Sequence, residues 1–183
     1  MMKNHRRLSM SALAALMLVV LAVGVSACGS GNPREVEEGE VVKVGKLEYT
    51  VIFSRYLNEN DPEDVAYLKG QKPVKDDHNY FGVFLQVFNP NHGSFNVVNT
   101  LTITDSTGKR YKALPSESEY AFPFGSILTE QEPIPTNDSS AQSGPIRGAV
   151  AIFEVPEEVS SNRPLLLHIP GSPGDNGTVK LDL

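Results

Sequence analysis

The sequence predicts an all-β protein: one antiparallel β-sandwich of about seven strands. Three observations predict it. Apolar residues alternate with a period of two in several short segments. Clusters of Gly, Pro, Asn, Asp and Ser separate those segments. No segment carries a clean helical apolar face, and Glu157–Ser161 offers at most a single helical turn.

The elements follow in chain order. Residues 1–27 hold Lys3, Arg6 and Arg7 with no acidic residue, then an apolar run from Ala12 to Val25. That run suits the apolar region of a secretory signal, about 7–15 residues, and falls short of the roughly 20 that span a bilayer. Val25-Ser26-Ala27-Cys28-Gly29 follows. This stretch resembles the lipobox of bacterial lipoproteins. The resemblance implies cleavage between Ala27 and Cys28 and a diacylglyceryl thioether on Cys28. Two acyl chains on one residue anchor stably, where one binds only marginally. Residues 28–40 are small, polar and acidic, as in Glu37-Glu38-Gly39-Glu40, and are expected to form a flexible tether. The domain is then expected to span 41–183.

Within it, Leu47, Tyr49, Val51 and Phe53 alternate with Glu48, Thr50, Ile52 and Ser54, a strand with one buried face. In Tyr80–Asn89 both faces are apolar, so this strand is expected at the centre of a sheet and covered on both sides. Asn89-Pro90-Asn91-His92-Gly93 is a turn. Leu101–Thr104, Arg110–Leu114, Ala149–Val155, Leu165–Ile169 and Thr178–Leu183 complete the strands. Two long connections remain, the acidic Asn58–Asn79 and the aromatic-bearing Pro115–Pro145. Loops of this length are functional or mobile in compact domains.

Three segments, in this order, resemble a bacterial family of immunoglobulin-like extracellular domains of unknown function, commonly found in lipoproteins. They are Tyr80–Asn91, a hydrophobic strand ending in Asn; Leu101–Tyr111, an aspartate-glycine turn followed by Tyr; and Gly148–Pro156, which ends Phe-Glu-Val-Pro. At superfamily level the pattern is similar to the mycobacterial immunoprotective extracellular protein. The resemblance implies an immunoglobulin-like sandwich and carries no agreed activity. Two departures stand out. Ser139–Pro145 replaces the family's Pro-Gly pair, and Asn58–Asn79 is expanded. An antibody-type domain is excluded, because the chain has no Trp and its one Cys cannot form an inter-sheet disulfide.

Function classes narrow by charge and motif. A net charge of -6, becoming -9 once Lys3, Arg6 and Arg7 leave with the signal, excludes a nucleic-acid binder. It also holds the domain off an anionic membrane. No Gly-x-Ser-x-Gly elbow occurs, and His5, His78, His92 and His168 are scattered, so no enzyme, cofactor or metal is expected. Asn58–Asp64 lacks the spacing of a calcium loop. The alternative, a solute- or ion-binding lipoprotein, would use the acidic loop 58–78. Tyr120, Phe122 and Phe124 form a candidate binding patch, or else a plug for the open end of the sandwich; the cost of exposing Phe favours the plug. The leading expectation is a monomeric, extracytoplasmic lipoprotein. It meets the membrane through Cys28 and binds or supports another envelope component, with an envelope protein as the candidate partner.

Replacing Cys28→Ala should release the protein from the membrane fraction of its host while its circular dichroism stays that of the wild type. A variant that still partitions with lipid would refute the lipobox reading.

Overall fold

In the computed structural model residues 35–182 are described; the expected signal segment and the expected cleavage and lipid-attachment site at Ala27 and Cys28 lie outside them. The strands are β1 (Glu35–Glu37), β2 (Val41–Val44), β3 (Leu47–Leu57), β4 (His78–Phe88), β5 (Phe95–Asn96), β6 (Thr102–Thr104), β7 (Arg110–Lys112), β8 (Ile127–Leu128), β9 (Pro133–Ile134), β10 (Ala149–Pro156), β11 (Leu165–Ile169) and β12 (Gly177–Leu181). Two short α-helices, α1 (Pro62–Tyr67) and α2 (Ser140–Ser143), and a 3₁₀ turn at Glu157–Ser161 lie between them. Sheet A runs β1-β12-β11-β6-β7. Sheet B runs β10-β4-β3-β2, with β9 continuing beside β4. The fold is a β-sandwich. The seven strands read from the sequence are β3, β4, β6, β7, β10, β11 and β12; the other five have only two to four residues each.

Strand β4 is the centre of sheet B. It pairs with β3 from Glu48↔Phe88 to Leu57↔Tyr80 and with β10 from Ala149↔Leu85 to Pro156↔His78. Phe81, Val83, Leu85 and Val87 face the main core between the sheets, against Ile103, Leu167 and Val179 of sheet A. Tyr80 and Phe84 face the other way, into a second cluster with Leu57, Tyr67, Leu68, Val150 and Ile152. The expectation of a strand covered on both sides therefore holds. The sheets meet closely at one end: a Cβ on Gly177 would lie 2.8 Å from Val44 Cγ2 and 2.9 Å from Val42 Cγ2.

The second layer is built by Asn58–Asn79, which is folded rather than a bare polar loop. Asp61 caps α1 by accepting the Glu63 and Asp64 N–H groups at 2.9 and 3.3 Å, and Pro62 starts the helix. Arg55 of β3 donates to both oxygens of the buried Asp64, at 2.9 and 2.5 Å, and the Asn58 N–H adds a third bond at 2.7 Å. A buried carboxylate is stable only when so paired. The pair fixes α1 on sheet B, where Tyr67 packs edge-on against Phe84 at 5.1 Å and Tyr120 at 5.0 Å. The helix escapes periodicity because its one turn and a half presents little more than Tyr67 to the core.

Two further expectations are corrected. The tether was expected to end at Glu40, yet Glu35–Glu37 pairs in parallel with Thr178–Lys180 of β12, and Val36 is buried in the main core. A single buried Val between glutamates is too short a signal to read as a strand. Phe53 was expected on the buried face of β3. The pairing of β3 with β4 shifts between Val51 and Phe53, a bulge that places Phe53 opposite Phe84 on the outer face, 44% exposed. Beyond the bulge Ser54 and Tyr56 turn to the main core, and Tyr56 meets Phe81 edge-on at 5.3 Å.

The segment 114–122 runs along the outer edge of β10. Leu114 N–H donates to the Ile152 carbonyl, Val150 N–H to that of Tyr120, and Phe122 N–H to that of Val150, each at 2.8 Å. Unpaired strand edges template unwanted pairing, and this segment covers one. Phe122 is 4% exposed in the main core, with the partly buried Phe124 edge-on at 4.9 Å. Tyr120 joins the second cluster.

The Asp105–Tyr111 turn is also locked from within. Asp105 is buried and accepts bonds from Thr107 N–H (2.9 Å), Thr107 Oγ1 (2.6 Å), Lys109 N–H (3.1 Å) and Tyr111 Oη (2.9 Å). Gly108 takes the left-handed conformation the turn needs, with φ 86°. Burial pushes the Asp105 carboxyl up, but the donors, led by Thr107 and Tyr111, outweigh it and hold the carboxyl below its ordinary value.

Two outcomes follow for stability. A folded-state value below the unfolded one makes Asp105 stabilising above about pH 4, a contribution lost as pH falls through the lowered value. Tyr111→Phe removes one donor and should cost about 1–3 kcal/mol at neutral pH. In denaturant titrations the variant's stability should also fall less steeply below pH 4 than that of the wild type. The double substitution Phe122→Ser, Phe124→Ser should lower stability by at least the roughly 3–5 kcal/mol of one buried Phe truncation. A melting temperature within a degree or two of wild type would contradict that packing.

Candidate functional site

The aromatic loop offers no open patch. Phe122 is buried, Phe124 lies against it, and Tyr120 meets Tyr67 edge-on. The acidic loop is likewise committed internally. Asp61 caps α1, Asp64 and Glu63 pair with Arg55, and Glu59 accepts the Val74 N–H at 3.2 Å. Among the described residues no group of three or more His, Cys, Asp or Glu side chains is arranged to hold a metal. His92 sits on the surface beside Glu130 at 2.5 Å, and His78 Nδ1 lies 3.0 Å from the Asp76 carbonyl. His168 lies on the other sheet, so the structure brings no two histidines of this domain together.

The concave feature that no sequence motif announces is a groove of about 300 Å³ on the outer face of sheet B. Its floor is Thr50 of β3 with Gln86 and Phe88 of β4; Val41 of β2 forms one rim and Pro133–Pro135 the other. The geometry follows from local rules. β2 is an edge strand in which Val42 and Val44 face the core, so Val41 and Lys43 must face out. Lys43 answers Glu48 across the strands at 3.1 Å. The opposite rim is held by Asn89, which is fully buried at the end of β4. Its side-chain amide donates to the carbonyls of Gly93 (2.8 Å) and Thr129 (3.0 Å), and its oxygen accepts the Asn91 N–H at 3.0 Å. Those bonds anchor 128–132, which leads directly into β9.

Along β3 the groove continues into apolar surface. Val41 is 47% exposed and stands opposite Thr50; Ile52 follows at 37%, then Phe53. Three of the five exposed large hydrophobic residues described in the structure thus lie on this one face, the others being Val65 and Ile127. The bulge creates this surface, because without it Phe53 would have turned inward. Scattered apolar residues on a surface need no explanation; here three of them share one face beside a groove.

No helix among the described residues is long and apolar enough to cross a membrane. No family model matches the sequence, and no curated protein does. Among solved structures the chain is similar to the yjhA protein of Bacillus subtilis, with TM-score 0.51 and 15% identity over 80% of this chain and 99% of that one. It is similar to a secreted protein from Mycobacterium tuberculosis, MPT63, with TM-score 0.51 and 12% identity over 84% and 100%. An uncharacterized β-sandwich protein from Clostridium difficile gives TM-score 0.48 and 18% identity over 81% and 94%. At such identities the likeness is one of fold. The chain shares a β-sandwich with bacterial proteins.

Proposed function

We propose that this chain is a lipid-anchored, extracytoplasmic protein whose sandwich is non-catalytic and binds another envelope protein. The contact surface is the outer face of sheet B at Val41, Ile52 and Phe53. The observation that carries this reading is the apolar stretch itself, set beside the groove rimmed by Pro133–Pro135 on a face whose other half is sealed by α1. Burying it against a partner gains about 25 cal/mol for each Å² of apolar surface removed from water. Shape fits the same role: a shallow groove accepts a protruding side chain or extended segment. Anchoring rests on Val25–Gly29 in the sequence, and a secreted protein among the fold neighbours is consistent with an extracytoplasmic setting.

Site-specific photo-crosslinking in the native host tests the surface. A photoreactive residue replacing Phe53 should give a discrete protein adduct, and one replacing the exposed Ser172 should not. Equal labelling from both positions, or none from position 53, would refute the proposal.

A further inference from the structure

The outer face of sheet A carries a second concave site, of about 290 Å³, where Thr100, Thr102, Arg110, His168 and Asn176 stand beside Ile169 and Pro170. Inward residues Ile103, Tyr111, Leu167 and Val179 belong to the core, so their neighbours along each strand face out. Strand register then sets His168 between Thr102 and Thr178, with Arg110 opposite Thr104 on the adjoining rung. Thr104 Oγ1 lies 2.6 Å from His168 Nε2 and Thr178 Oγ1 lies 3.5 Å from Nδ1, so threonines on both neighbouring strands hold the ring. At the upper end Asn176 accepts the Gly171 N–H through Oδ1 at 2.8 Å, which leaves its amide NH₂ to donate. Thr100 and Thr102 add hydroxyls to the lining.

We propose that this groove is a site for a small oxyanion held by Arg110 and Asn176, with the Thr100 and Thr102 hydroxyls beside them. No carboxylate lines the groove, and among the described residues none pairs with Arg110. An unpaired guanidinium beside hydroxyl and amide donors matches an oxyanion, which accepts several charge-assisted bonds at once. The background sharpens the point. The chain is acidic overall, so a cationic site here is local and not part of a general basic surface. Burial and then the charge of Arg110 hold the His168 imidazole below its ordinary value, against the weaker pull of Glu35 from the edge of the sheet. The fixed cations on this face are Arg110 and Lys112, which stands opposite Thr102, and the imidazole orders the threonines around them.

A phosphate group would satisfy this site either as the free ion or as the diester of a lipid headgroup, and calorimetric titration of the full chain in detergent separates the two. The probes are inorganic phosphate and glycerophosphoglycerol, a headgroup diester without its acyl chains. Saturable binding is expected, weakened about tenfold or more by Arg110→Gln, the loss of one charge-assisted hydrogen bond. Lys46→Gln, on a turn of the other sheet, should bind as the wild type does. Tighter binding of phosphate identifies the free ion as the natural occupant, and tighter binding of the diester identifies the headgroup. If neither probe binds saturably, or if Arg110→Gln with an unchanged circular dichroism spectrum binds both as tightly as wild type, the proposal fails.

Discussion

Every layer of this protein is arranged around the need to keep both faces of one strand, His78–Phe88, out of water. Phe81, Val83, Leu85 and Val87 on one side and Tyr80 and Phe84 on the other are all buried. Each such side chain contributes about 1.5–3 kcal/mol when removed from solvent. Sheet A can cover only one face. The other requires a separate lid, and the chain builds it from α1, Leu114, Tyr120 and Ile146. The long connections are long because they must reach across sheet B. The Arg55–Asp64 pair fastens that lid, so a polar contact in low dielectric fixes the position of an apolar layer.

The lid stops short. It covers Leu57 and Arg55 but leaves Ile52 and Phe53 in solvent, and the same departure from regular pairing that turns Tyr56 inward puts Phe53 there. A bulge redirects every side chain after it, so one extra residue decides both the packing at one end of β3 and the surface at the other. Buried polar residues mark the places where such turns are held. Asn89 and Asp105 each gather three or more bonds at a strand end, where backbone groups would otherwise go unpaired.

Strands long enough to show two or three alternations were legible in the sequence, as in Leu47–Val51 and Tyr80–Phe88. So was the central place of β4, because apolar residues on both faces admit no edge position. What escaped depends on contacts distant in the chain. Glu35–Glu37 is a strand only because β12 offers an edge, and Ile52 bulges only because β3 must match β4 on one side and the core on the other. Neither candidate surface was legible. The groove joins residues 41–50, 86–88 and 133–142, and the donor-lined site joins 100–110 with 168–176. The aromatic loop drew attention by composition, yet its rings are used for packing.

The parallel pairing of β1 with β12 has a mechanical meaning. Glu35, Val36 and Glu37 lie in register with Thr178, Val179 and Lys180, and Lys180 Nζ reaches Glu37 Oε1 at 3.1 Å. A force drawing residue 35 and residue 182 apart runs along the two strands in opposite senses. It must slide them past each other and load all the registered pairs together. An antiparallel pair pulled from the same corner would peel open one bond at a time. The strand Glu35–Glu37 is thus set in shear, the geometry in which a short ladder resists tension best, and it guards Val36 and the core beneath it when the domain is pulled.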